Sequence, residues 1–294
     1  MAKFLERPQP MFSQRDFLRL SAAGISAAAL QPVSPAASRR VPLGVQLYTV
    51  RKQAEVDLPR VLVQIRKIGY EEVELYWNVY THPAAELRQM ITDAGLRAPS
   101  GHFDYNGLAS KLDYASELGV KYVICPMLPN NMRTTADDFK RAASQFNQWG
   151  KEVESRGMHF GFHNHNYEFH PIAATAGFNI LMNDTDPKLV RLEMDCYWIT
   201  QAGRDPIQML KQYHDRVRML HLKDRKPGFP ASQELNSSAE HFTEVGNGTI
   251  NWKAILAVAE AQGIEHYFVE QDSSDKSPIE SIRASYDYLQ KLMA

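Results

Sequence analysis

Residues 159–170, His-Phe-Gly-Phe-His-Asn-His-Asn-Tyr-Glu-Phe-His, set imidazoles, amides and a carboxylate behind a short apolar run. On a strand, residues two apart share a face, so His163 and His165 sit together at its end. Paired imidazoles there suit metal binding or proton transfer. Two solvated loop histidines are the plainer alternative, and the deciding feature is that other strands end in the same style.

Those strands recur along the chain. Eight β-rich runs are expected: 43–49, 72–76, 97–102, 122–126, 159–165, 191–197, 217–223 and 266–271. Segments with helical spacing lie between them, at 58–68, 83–94, 107–118, 135–156, 206–213 and 252–262. Gly69, Gly95, Gly119, Gly157 and Gly263 each close a helix just before a strand, where a left-handed residue is needed. Strands alternating with helices imply a parallel sheet, and about eight units match an α/β (β/α)8 TIM barrel. A doubly wound open sheet is less fitting, because no Gly-x-Gly phosphate loop follows the first strand.

A barrel does its chemistry at the C-terminal ends of its strands. Alternation puts His163, Asp195, His221 and Glu270 on the inward face of four consecutive strand ends. Any one of them fits a satisfied core polar group. Four together, two of them carboxylates, are hard to bury without a cation. Two nitrogen and two oxygen ligands suit one divalent ion of the Mn, Co, Zn, Fe or Ni type better than Ca or Mg.

Lys223, two residues past His221, is placed to hold an oxyanion or hydroxyl; pairing with Asp224 or with solvent is the structural alternative. Glu74 and His102 end the second and third strands and are expected to bind substrate hydroxyls. Glu193 reads as a deeper supporting group. Trp198, with Trp77 and Tyr105, is a candidate apolar wall for a sugar ring. The segment 227–247 is the longest insertion and follows the seventh strand, on the active face, as a lid or substrate loop.

The bulk properties agree with one large domain. The chain has 294 residues, 44% of them hydrophobic, and a net charge of −1, so no basic excess points to nucleic acid. Cys125 and Cys196 both lie in apolar runs, which favours buried thiols over a disulfide. No apolar run is long enough for a membrane span. Residues 1–37 have the order of an export signal: basic, apolar, then small residues. They resemble a twin-arginine leader in which Gln14 stands where the first arginine belongs. The expected division is a leader over 1–37 and a catalytic barrel over 38–294. The expected location is the periplasm, with the cytoplasm as the alternative.

Several segments together carry a resemblance: 44–51 (Gly-Val-Gln-Leu-Tyr-Thr-Val-Arg), 69–75, 163–169, 193–198, 221–224, 245–252 and 269–272. They are similar to the xylose isomerase-like TIM-barrel superfamily, in its sugar phosphate isomerase/epimerase branch. The resemblance implies one divalent metal held by residues of strands five to eight, here His163, Asp195, His221 and Glu270. Ketose epimerases of this kind have glutamate at the position of His163. That difference weakens a symmetric glutamate pair and leaves His163 or His165 as the partner acid/base group, with Glu270 on the other side and Lys223 on the enediolate. It also points to the branch holding 3-keto-glycoside lyases and hydratases and inosose dehydratase-like enzymes. The expected activity is proton abstraction beside the carbonyl of a keto-sugar or cyclitol, ending in isomerisation, epimerisation or β-elimination. Alternatives are an endonuclease IV-like metal phosphodiesterase and a non-catalytic exported sugar-binding barrel.

Overall fold

A computed structural model describes residues 41–235 and 241–294; the leader-like segment lies outside the described residues. Its centre is a closed, all-parallel barrel of eight strands: β1 Leu43–Gln46, β2 Glu72–Leu75, β3 Arg97–His102, β4 Tyr122–Cys125, β5 His159–His163, β6 Val190–Asp195, β7 Val217–Leu222 and β8 His266–Val269. Each strand pairs with its sequence neighbours, and β8 closes onto β1.

The helices around it are α1 Arg51–Ile68, α2 Ala84–Asp93, α3 Leu112–Leu118, α4 Ala136–Glu154, α5 Gly177–Asp184, α6 Cys196–Gln201, α7 Pro206–Gln212, α8 Trp252–Ala261 and α9 Pro278–Met293. The spacing of apolar residues explains the inner face of α4. Phe139, Ala142, Ala143, Phe146, Trp149 and Val153 are all buried on one stripe. Its start is set by a capping box in which the Thr135 hydroxyl accepts from Asp138 N–H and the Asp138 carboxylate accepts from Thr135 N–H. The main apolar core lies between strands and helices. Inside the barrel, Tyr122, Ile124, Met219 and Phe268 form a separate small cluster. They are the floor on which the polar groups above them rest.

The differences from the sequence reading sit at element ends. Expected strand residues 47–49 form a short 3-10 turn, and 196–197 already belong to α6, because the Asp195 carboxylate accepts from Trp198 N–H and starts a helix there. The expected helix 58–68 is the second part of α1, which bends at non-helical Asp57 before Pro59. Within the long insertion, Phe242–Thr243 pairs antiparallel with Asp224–Arg225. No helix of the described residues is long and apolar enough to cross a membrane.

Candidate active site

The C-terminal mouth of the barrel holds two stacked polar layers. In the lower one, Glu74 of β2 is fully buried. It accepts hydrogen bonds from Gln46 Nε2 (2.8 Å), from the Ser100 hydroxyl and from His221 Nε2 (2.6 Å). Glu193 of β6 accepts from His102 Nε2 (2.7 Å) and His163 Nδ1 (3.0 Å). His102 also approaches Glu74, at 3.3 Å, and so bridges the two glutamates. Both Glu74 oxygens are already taken, and His102 is held between carboxylates. The structure brings both expected substrate-binding residues to the polar cluster: Glu74 is engaged by Gln46, Ser100 and His221, and the His102 ring stacks on His221 (centroids 5.5 Å) beside His163 (5.2 Å).

The upper layer follows from the lower. A carboxylate only accepts, so Glu193 fixes the proton of His163 on Nδ1 and turns Nε2 towards Asp195 Oδ2, at 3.8 Å. Glu74 likewise takes His221 Nε2, and His221 Nδ1 faces Glu270 Oε2 at 2.9 Å. One ligand atom from each of His163, Asp195, His221 and Glu270 lies within 4.8 Å of the others, all of them buried. A second group, His102, His163, Glu193 and His221, meets the same distance limit. Its contacts are already accounted for by the hydrogen bonds above. A ligating histidine whose other nitrogen is held by a carboxylate has a fixed tautomer and ring angle. Glu193→Gln is therefore expected to weaken divalent-metal affinity about 10- to 100-fold, read by competition with a chelating dye. Unchanged affinity would show that Glu193 only fills space.

Lys223 completes the layer. Its Nζ is 2.7 Å from Glu270 Oε2, 2.9 Å from Asp272 Oδ1 and 3.2 Å from Asp195 Oδ2. It lies 5.3 Å over the Trp198 ring. It does not pair with Asp224, whose carboxylate accepts from the backbone N–H groups of Gly246, Gly248 and Ile250 instead. Asp272 was missed as a site residue, although its spacing from Glu270 puts it on the same face. Burial raises the Asp272 carboxyl to about 6 against the opposing pull of Lys223.

His165 lies just past the end of β5, not on the strand. Its ring packs between Tyr167 (centroids 5.9 Å) and Trp198 (5.2 Å), edge-on to His163 (5.0 Å). Burial holds it well below the usual imidazole range, so it is neutral near pH 7. Its Nδ1 and the Trp198 Nε1–H are buried without a hydrogen-bond partner. Two buried polar atoms left open on one wall are suited to a bound polar ligand. Trp77 sits exposed on the rim, whereas Tyr105 packs on Trp149 (4.8 Å).

Glu168 is the buried group whose part the sequence reading overlooked. Its Oε2 accepts from His165 N–H (2.9 Å), and burial raises its carboxyl to about 8. An acid raised in the folded state stays protonated while the unfolded chain ionises, so the fold loses stability as pH rises from about 4.5 towards about 8. Glu168→Gln is expected to flatten that slope, with a gain of a few kcal/mol over wild type at pH 8.5 and little difference at pH 4.5. Urea unfolding at the two pH values checks this.

Eight parallel strands with a polar cluster at their C-terminal ends define a TIM-barrel enzyme. The chain belongs to the xylose isomerase-like TIM barrel family, whose model matches residues 62–292. It is 25% identical over 273 residues to the inosose dehydratase of Geobacillus thermodenitrificans, covering 81% of this chain and 90% of that protein. A crystal structure of a sugar phosphate isomerase/epimerase from Parabacteroides distasonis superposes with a TM-score of 0.71 at 26% identity, covering 85% and 98%. The IolI protein, solved with a binding zinc atom, shares the fold at 16% identity and a TM-score of 0.66, covering 86% and 98%.

Proposed function

We propose that this enzyme depends on one divalent metal and removes the proton beside the carbonyl of a keto-sugar or cyclitol, with β-elimination or isomerisation as the outcome. The observation that carries the reading is a neutral imidazole with an open Nδ1, His165, beside the His163–Asp195–His221–Glu270 group. The inosose dehydratase relatives support the substrate class.

The donor set fits a divalent ion. Asp195 Oδ2 is buried with no hydrogen-bond partner. Three carboxylates, Asp195, Glu270 and Asp272, surround a single ammonium, that of Lys223. Ionised, and with only Lys223 and His221 against them, they leave excess negative charge in a buried site, which a divalent cation neutralises. His163, Asp195, His221 and Glu270 would hold it, and when bound it would supply Lewis-acid polarisation of the substrate carbonyl.

The remaining work falls to the protein. His165 takes the proton from the carbon next to the carbonyl, and the electron pair moves into an enolate. Lys223 offers an ammonium to the developing oxyanion. In elimination, the enolate re-forms the carbonyl as the C–O bond at the β position breaks, and the departing oxygen takes the proton that His165 removed. In isomerisation, the proton returns at the former carbonyl carbon while the adjacent hydroxyl passes its proton to the enolate oxygen and becomes the new carbonyl. Trp198 closes one side and excludes water. The leader-like order of residues 1–37 supports an exported enzyme.

The test uses protein stripped by a chelator and reloaded with Mn, Co, Ni or Zn, then given 3-keto-glucosides or inososes in D2O. Deuterium at the carbon beside the carbonyl, with an unsaturated product where elimination follows, is the expected result. Tight binding with no exchange under any metal would instead support a barrel that only binds sugar.

A further inference from the structure

The chemistry above uses His163 and His165 and gives no task to the asparagine that follows each of them. Asn164 ties the end of β5 to the end of β6: its Oδ1 accepts from Asp195 N–H (3.0 Å), and its Nδ2 donates to Asp195 O (3.4 Å). Asn166 is fully buried and reaches much further. Its Nδ2 donates to Ser232 O (2.9 Å) and to Glu234 O (2.7 Å), 66 and 68 residues along the chain. Both acceptors are carbonyls, so only the NH2 end of the amide can face them. Its Oδ1 has no hydrogen-bond partner, so both bonds of this side chain go to one segment. The same segment, residues 229–234, is fastened on its other side to α6. Ser232 N–H donates to Gln201 O (2.6 Å), and Gln201 Nε2 donates to Pro230 O (3.4 Å). Arg225 donates from Nε to Gln201 Oε1 (2.6 Å), and from Nη2 to Phe229 O and, at 2.8 Å, to Pro230 O.

Building on the reading of His165 as the base, we propose that residues 229–234 are a fixed brace and that Asn166 is a positioning residue, which holds the loop after β5 and the helix α6 at the separation that seats the His165 ring. The link is direct along the chain. Asn166 follows His165, and α6 carries Trp198, whose ring lies 5.2 Å from that of His165. His165 lies past the last residue of β5, so the barrel ladder does not fix it. Its Nδ1 has no partner, and its ring is placed by the Tyr167 and Trp198 rings on which it packs. A base seated by its walls is only as well placed as the walls, and a misplacement of about 1 Å costs turnover heavily.

The experiment joins a structural reading to a kinetic one in the full-length protein. The structural reading is the 15N–1H spectrum of the four tryptophan indoles, recorded with zinc, with Trp198 and Trp149 assigned by Trp→Phe substitution at each. Asn166→Ala is expected to shift or broaden the Trp198 signal and to leave that of Trp149, in α4, where it was. The kinetic reading is deuterium exchange into 3-keto-glucosides or inososes: kcat is expected to fall about 10- to 100-fold, with KM within about twofold of wild type and metal content unchanged. An unmoved Trp198 signal overturns the brace, whatever the activity. A moved signal with wild-type exchange overturns the positioning role. His165→Ala tells that result from a failure of the underlying reading, since a His165→Ala protein that also exchanges at the wild-type rate shows that the base is another group. If the wild-type protein exchanges neither substrate, proton abstraction falls, and the Trp198 signal alone decides the brace. Should Asn166→Ala not fold, Gln201→Leu cuts the tie on the α6 side and is read in the same two ways.

Discussion

His165→Ala is expected to lower turnover by about 10²- to 10⁴-fold, the range for loss of a positioned acid/base, while metal content stays at the wild-type level. The separation follows from geometry. His163 Nε2 faces Asp195, and His221 Nδ1 faces Glu270, whereas His165 stacks between Tyr167 and Trp198 with its Nδ1 open. Removing His165 leaves the four buried donors in place. Asp195→Ala should do the reverse and lose the metal first, because it deletes a buried carboxylate oxygen that faces the group without a hydrogen bond. Metal analysis beside single-turnover kinetics distinguishes the two. If His165→Ala turns over at the wild-type rate, the base is elsewhere. Glu270 is then the next group to test, since it contacts both His221 and Lys223.

Asp224→Ala is expected to cost about 3–5 kcal/mol of stability, in the range seen when buried hydrogen bonds to a charged group are lost and their donors stranded. The Asp224 carboxylate is fully buried. It accepts from the backbone N–H groups of Gly246 (2.9 Å), Gly248 (3.2 Å) and Ile250 (3.2 Å) and from Trp252 Nε1 (2.7 Å). It thereby folds residues 245–252 around itself and anchors the start of α8. Gly246 adopts a positive φ of 94°, and a side chain on Gly248 would run into the Asp224 carboxylate. Such a loss corresponds to a fall in Tm on the order of 10 °C for a domain of this size. Asp224→Asn keeps one acceptor oxygen but sets an NH2 against the donors of the other, so it should recover only part of the loss. Thermal unfolding of both variants checks this, and an Asp224→Ala protein as stable as wild type would show that water takes over the stranded donors.

The layered arrangement also explains how one fold can keep so many charges buried. Glu74 and Glu193 are paired with imidazoles, and Asp195, Glu270 and Asp272 are gathered on one lysine. Breaking one member strands its partners in a low-dielectric interior, so substitutions here should be judged as changes to a network and not as single contacts.

Much of this was written in residue order alone. Alternating apolar runs and helix-closing glycines determined the barrel, because strand and helix periods differ and a parallel sheet needs a crossover between each pair of strands. Period-two alternation determined that His163, Asp195, His221 and Glu270 face inward, and the same parity holds for Met219 and Phe268 in the barrel floor. Contacts across the ring were not legible. Glu74 and His102 share that parity, yet their partners are His221, His163 and Glu193 from strands far along the chain, and which residues meet depends on the stagger between strands, with register shifts in β2–β3 and β6–β7. Partner choice was equally hidden. Lys223 turns to Asp195, Glu270 and Asp272, while its neighbour Asp224 turns to a glycine loop more than twenty residues on. A sequence places side chains on a face by local geometry; which charges meet there is decided only when strands distant along the chain close into one ring.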